Sequence, residues 1–295
     1  MRIPTAIMLS VCALAMWVVD YVRMPDQWLS LLLTQGLILV NAGLLCSVLY
    51  RAKATAHLSL LPALLYILAM GIFPYLRFHW QPQLIAGILL FFLLATRDMS
   101  DTHEPNGLVF FVTILLCLTA LLIPDALWCV AFLWLVVLLQ GAFTIRTILS
   151  SALAVVLIAI YYILAMYFGW AELWDASGLF DRQWIGSEQP ACLTITVIVM
   201  MAAFLAVTVC TFRRSLYDLV STRMLLYHVS LWGVLSLPLI LFAAPQPDFE
   251  VMLPLTLTTT TGIFLLQKES EARGITLLLY VFGAIALYLW LTLSL

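Results

Sequence analysis

Polar and apolar positions fall in blocks along this chain, with long apolar runs broken by short clusters of charges, proline, glycine and asparagine. A helix needs about 20 predominantly apolar residues to cross a hydrocarbon layer about 30 Å thick. Cutting the chain at its polar clusters predicts eleven helical segments: 3–19, 28–50, 58–75, 84–96, 108–123, 126–139, 148–168, 191–212, 224–243, 251–266 and 275–295. Three are short: 84–96, and the pair 108–123 and 126–139 split by Pro124 and Asp125. These short segments either borrow flanking residues or dip into the membrane and return.

Composition turns the pattern into a statement about solvent. The chain is 65% hydrophobic and 9% charged, with a mean hydropathy of +1.12. Ordinary soluble domains carry about 25% charged residues, so a soluble globular domain is excluded and lipid is the expected surroundings. The expected fold is an all-α integral membrane protein, a single polytopic helical bundle over 1–295 without a soluble domain. A net charge of −2 without a basic run excludes the usual nucleic-acid footprint. Membrane lipids and other membrane proteins are the partners expected, and no nucleic acid.

The few charges also orient the chain, because cytoplasmic loops collect Lys and Arg. With eleven crossings, Arg2, Arg51, Lys53, Arg97, Arg146, Arg213, Arg214, Arg223, Lys268 and Arg273 share the side of the N-terminus. Arg23, Arg77 and Arg182 share the other. The bias predicts a cytoplasmic N-terminus. A single crossing at the Pro124 pair would reverse the bias. A re-entrant hairpin there would preserve it with nine spans. Segment 3–19 follows Met1-Arg2 like a secretory signal, but Val11 before Cys12 is too large for a lipoprotein box and no small-x-small cleavage site follows, so it reads as a retained first helix. The six cysteines, all inside apolar segments at unrelated spacings, read as small packing residues.

Three stretches carry a resemblance: Leu61-Pro62-Ala63-Leu64-Leu65-Tyr66-Ile67-Leu68-Ala69-Met70, the run 89–97, and Leu122-Ile123-Pro124-Asp125-Ala126-Leu127-Trp128 followed by Phe143-Thr144-Ile145-Arg146. Over roughly the first 170 residues the chain resembles a family of uncharacterised multi-pass membrane proteins from Bacteroidota. In that family a tight proline turn joins two short helices and an arginine follows in the next cytoplasmic loop, positions matched by Pro124 and Arg146. The resemblance implies a Gram-negative inner membrane. It transfers no activity and no catalytic residue.

Candidate chemistry is sparse. The first external loop, 20–27, sets Asp20 and Asp26 at the outer face, where a carboxylate could act as base on a lipid-linked substrate. The same residues, beside Trp17, Tyr21 and Trp28, also read as solvated helix caps next to an interfacial aromatic belt. The longest external loop, 169–190, holds Trp170, Trp174, Arg182 and Trp184 among acids, the makings of a lid or of an interfacial anchor. The stretch 97–106 contains Asp98, Asp101, His103 and Glu104 without the spacing of a metal motif and reads as a solvated turn. Within the spans, Pro254 precedes a threonine run that includes Thr258 and Thr259, suited either to a polar pathway or to close helix packing. His228 sits near the basic loop, as an interfacial residue or a proton relay. No span is expected to hold an ionised side chain near its centre, and no internal repeat is evident, which both weigh against an ion-coupled transporter. Nucleotide, dinucleotide and zinc-protease motifs are missing, so no cofactor and no metal are expected. A structural or accessory subunit of envelope biogenesis is the leading expectation, with an outer-face membrane enzyme or a small-solute transporter as alternatives.

Overall fold

The structure, a computed structural model, describes residues 3–23, 25–54, 59–101, 106–139, 144–169, 183–184, 191–215, 220–243, 248–266 and 273–294. These residues form twelve α-helices: α1 (Ile3–Arg23), α2 (Trp28–Arg51), α3 (Leu61–Met70), α4 (Pro74–Phe78), α5 (Gln81–Asp101), α6 (Asn106–Leu122), α7 (Trp128–Leu139), α8 (Ile145–Tyr167), α9 (Ala191–Ser215), α10 (Val220–Leu241), α11 (Met252–Leu266) and α12 (Arg273–Ser294). Two two-residue strands, β1 (Gln183–Trp184) and β2 (Phe242–Ala243), pair antiparallel, with Gln183 opposite Ala243 and Trp184 opposite Phe242. Each expected apolar segment contains a helix, and the fold is an all-α bundle. Six helical stretches are long and apolar enough to cross a membrane, lying in α2, α8, α9, α10, α12 and 249–266.

One segment divides where a single helix was expected. Pro74 crowds the residue before it, so Phe73 takes an extended conformation (φ −87°, ψ 122°). The helix therefore stops at Met70 and restarts as the one-turn α4. The same rule acts at Pro124: Ile123 is extended (φ −136°, ψ 96°), α6 ends, and a 3-10 turn, Pro124–Leu127, leads into α7.

The chain divides into two compact units, Met1–Gly87 with Gln183–Leu295, and Ile88–Arg182, with α5 running from the first into the second. In the second unit, α6 and α8 pack along one another. Thr113 Oγ1 and Ser151 Oγ lie 3.2 Å apart, and Ser150 Oγ donates to Asn106 O at 2.7 Å. Thr144 caps α8 through a reciprocal pair of bonds with Thr147. The outer side of α8 is apolar and exposed, including Leu149, Leu153, Ile160 and Ile163. That is the face a helix shows to lipid.

The first unit is built around α11. Every residue from Val251 to Leu265 is buried, against α9, α10 and α3 chiefly. A helix apolar on all sides belongs in an interior, but five of the residues in this one are threonines. Four of the five hydroxyls bond back to their own helix: Thr256 donates to Met252 O (2.6 Å), Thr259 to Leu255 O (2.7 Å) and Thr260 to Thr256 O (2.9 Å), while Thr258 bonds Pro254 O; the buried Thr261 Oγ1 has no hydrogen-bond partner among the described residues. Small side chains also bring neighbours close. A Cβ on Gly262 would sit 3.3 Å from Leu49 Cδ1 of α2 and 3.6 Å from Pro62 of α3.

Long-range hydrogen bonds sort the helix ends of this unit into two groups. In one, Arg23 Nη1 of α1 donates to Thr292 O of α12 (3.0 Å), Ser30 Oγ of α2 donates to Phe78 O of α4 (2.6 Å), and β1 pairs with β2. In the other, Ser221 and Thr222 at the start of α10 both donate to Ala52 O beyond α2, each at 2.9 Å. Cys46 Sγ donates to Ser59 O ahead of α3 at 3.2 Å.

Gly233 of α10 faces the buried ring of Phe204 on α9, where a Cβ would overlap the ring carbons. Gly233→Ala should cost roughly 1–3 kcal/mol, seen as a lower thermal unfolding midpoint in detergent. Phe204→Leu in the same chain should recover part of that loss.

Candidate functional site

The helix α1 touches the rest of its unit along one narrow stripe. Leu9, Ala13, Met16 and Asp20 are buried, a four-three-four spacing that lines up on one helix face, while Val11, Leu14, Val18 and Val22 are exposed. The stripe runs over the break between α3 and α4. A Cβ on Gly71 would lie 2.8 Å from Met16 Cε, so only glycine admits the methionine without displacement.

At the end of the stripe Asp20 meets Arg77. The two form a salt bridge, Arg77 Nη1 to Asp20 Oδ1, with side-chain exposures of 6% for Arg77 and 2% for Asp20. Arg77 reaches this position because Pro74 turns the chain into α4. Tyr288 of α12 completes the site. Its hydroxyl lies 3.4 Å from both Met16 O and Asp20 Oδ1, and the Arg77 guanidinium sits 4.8 Å from its ring centroid and 5.7 Å from that of Phe78. A delocalised guanidinium over aromatic faces is well suited to a dry setting. Asp20 Oδ2 and Arg77 Nε are buried without hydrogen-bond partners among the described residues. Nearby His79 stacks on Tyr75 at 4.3 Å. Partial burial lowers the pKa of this imidazole, and Arg23 and Arg77 are the described cations about Asp20.

A second polar centre joins α2, α3 and α5. Asn41 Nδ2 donates to Gln83 O (2.8 Å) and Gln83 Oε1 (3.4 Å), Tyr66 OH donates to Gln83 Oε1 (3.2 Å), and Gln83 Nε2 reaches Met70 Sδ (3.5 Å). All four residues are buried. Gly87 gives the amide room, since a Cβ there would stand 2.8 Å from Asn41 Oδ1. These neutral groups saturate one another.

The residues singled out from the sequence separate. Asp20 was expected either as a free carboxylate at the outer surface or as a solvated cap; it is instead inside α1, which continues to Arg23, and is 1% exposed. Burial next to Arg77 replaces solvation. Asp26 is exposed in a 3-10 turn, Pro25–Gln27, and the described contacts do not join it to Asp20. Trp170, Trp174 and Arg182 lie outside the described residues, as do His103 and Glu104. Trp184 is described through its backbone pairing with Phe242. Thr258 and Thr259 return their hydroxyls to their own helix, and Thr258 also lies 3.2 Å from Tyr280 OH, which donates to Leu65 O at 3.1 Å. His228 is 3% exposed, two turns inside α10, with Nε2 unpartnered among the described residues. Packing within the first unit accounts for its burial.

Arg77 and Tyr288 escaped the sequence reading. A signal was present: the charge tally put Arg77 on the same side as Asp20, and a buried pair is the usual state of opposite charges near lipid. Four of the six cysteines are buried and all are free thiols. No protein-family model matches the chain, and no curated protein or solved structure matches it.

Breaking a buried pair strands a charge and costs about 3–5 kcal/mol. Arg77→Met and Asp20→Leu should each lower the unfolding midpoint strongly, and the double variant should be markedly more stable than either. Additive losses in the double-variant cycle would mean the two side chains are energetically independent.

Proposed function

We propose that this chain is a bacterial inner-membrane protein with a cytoplasmic N-terminus and eleven crossings, serving as a structural or accessory subunit in envelope biogenesis. The observation that carries the reading is the occupation of Asp20. The carboxylate that an outer-face enzyme would use is bonded to Arg77 and Tyr288 and joins α1, α4 and α12. Its geometry suits holding helices together.

Topology rests on the distribution of basic residues, and the hydrogen bonds between helix ends support it. The ends that bond one another, at Arg23 with Thr292 and at Ala52 with Ser221 and Thr222, are ends that the charge bias assigns to common sides. A re-entrant pair with nine crossings is favoured by one fact: α6 has 17 residues and α7 has 12, both under a full span. The resemblance to Bacteroidota inner-membrane proteins, with its proline turn at Pro124, agrees with the proposed location.

A second reading is an enzyme acting on a lipid-linked substrate through Asp20 and Asp26. It is favoured by Asp20 Oδ2, which has no hydrogen-bond partner among the described residues.

Complementation of a strain lacking the protein separates the two. For an accessory subunit, Asp20→Leu should lose complementation in step with membrane abundance, Asp26→Asn should change neither, and Asp20→Leu with Arg77→Met should restore both. An enzyme would lose complementation in the Asp20→Asn, Asp26→Asn chain at full abundance, and the apolar pair could not rescue it. For orientation, an impermeant thiol reagent applied from outside should reach a cysteine placed after Trp170 and miss one placed after Arg213. The opposite labelling would reverse the topology.

A further inference from the structure

At the end of the first unit remote from Asp20, three helix termini bring cations together. Ser221 and Thr222 tie the start of α10 to Ala52. Ala52 is flanked in sequence by Arg51 and Lys53, and Thr222 is followed by Arg223. Arg213, in the last turn of α9, enters through the packing of α9 on α10, where the rings of Phe212 and Tyr227 lie 5.1 Å apart. Arg223 stands one turn before Tyr227 on the same face of α10. Arg51, Lys53 and Arg213 are exposed, and Arg223 is half-buried with its Nε lacking a partner among the described residues. No carboxylate occurs among the described residues of these three termini. The adjoining sequence adds one arginine, Arg214, and one carboxylate, Asp218.

Lys53 adds an independent observation. It closes α2 with the two bonds of a Schellman turn, Lys53 N to Tyr50 O (3.0 Å) and Ala54 N to Leu49 O (3.1 Å). Its φ is 57°, the left-handed conformation that glycine adopts without steric cost, and no other described non-glycine residue has a positive φ. An ammonium group stands where backbone economy calls for glycine. Just inside the cations, Tyr227 is 52% exposed and Tyr50 45%. Cations above exposed aromatic rings match the boundary between lipid headgroups and acyl chains.

We propose that the ends of α2, α9 and α10 form a binding site for an anionic phospholipid. Its phosphodiester is held by Arg213, Arg223 and Lys53, and its acyl chains lie along the Tyr227 side of α10. The site does not depend on whether the protein is an accessory subunit or an enzyme.

The test is native mass spectrometry of the delipidated full-length protein with phosphatidylglycerol and with phosphatidylcholine of the same acyl chains. The unaltered chain should retain phosphatidylglycerol preferentially, less so as ionic strength rises. Removing a cation should weaken retention about fivefold. The Arg213→Gln, Arg223→Gln chain should therefore lose the preference. Lys53→Gly should raise the thermal midpoint while lowering the preference, a combination that a purely structural lysine would not produce. Equal retention of the two lipids by the unaltered chain, full preference in either variant, or displacement of the lipid by inorganic phosphate would overturn the proposal; the last would identify a site for the free anion. Should the double arginine variant fail to fold, Lys53→Gly and the ionic-strength series on the unaltered chain decide.

Discussion

In surroundings without water, a polar group that does not find a partner inside the protein finds none, and this constraint organises the first unit. An unbonded hydroxyl, amide or charge in hydrocarbon costs several kcal/mol, which exceeds what most single packing contacts supply. Many polar groups in the first unit meet the constraint in one of three ways, while others, such as His228 Nε2 and Thr261 Oγ1, have no hydrogen-bond partner among the described residues. Four of the five threonines of α11 bond backward to their own helix, Asn41, Gln83 and Tyr66 bond one another across three helices, and Asp20 takes Arg77. The third solution leaves one carboxylate oxygen and one guanidinium nitrogen without partners among the described residues.

Threonine back-bonding explains how a polar-looking helix comes to lie at the centre. Once the hydroxyl is satisfied internally, the outer surface of the side chain is a methyl group, short enough for α3, α9 and α10 to come near. Glycine extends the same logic. Gly71, Gly87, Gly233 and Gly262 each stand where a neighbouring side chain occupies or crowds the space of a Cβ. The break between α3 and α4 serves the ionic site: it lets Met16 lie against Gly71 and swings Arg77 toward Asp20.

The helices themselves were legible as blocks of apolar residues, because a span must be apolar throughout. Their boundaries were less so. Segment 58–75 splits although Gly71 and Pro74 were in plain sight, since hydropathy is indifferent to a backbone break flanked by apolar side chains. The first helix runs on to Arg23 past the end of its apolar run, because a carboxylate can sit inside a helix when a guanidinium from elsewhere compensates it. Sequence reasoning named Asp20 and missed its partners, Arg77 being 57 residues away and Tyr288 268.

Composition alone determined the class of this protein: a helical bundle in lipid, with its scarce charges at segment ends. Only the tertiary structure decided that residues 249–266, which include α11, are 94% buried while α8 is 17% buried over its apolar stretch, that Asp20 is paired, and that the start of α10 is bonded to the end of α2. The reason is physical. Lipid tails and protein interiors are equally apolar, so in a membrane protein hydropathy marks which residues leave water but not which of them meet.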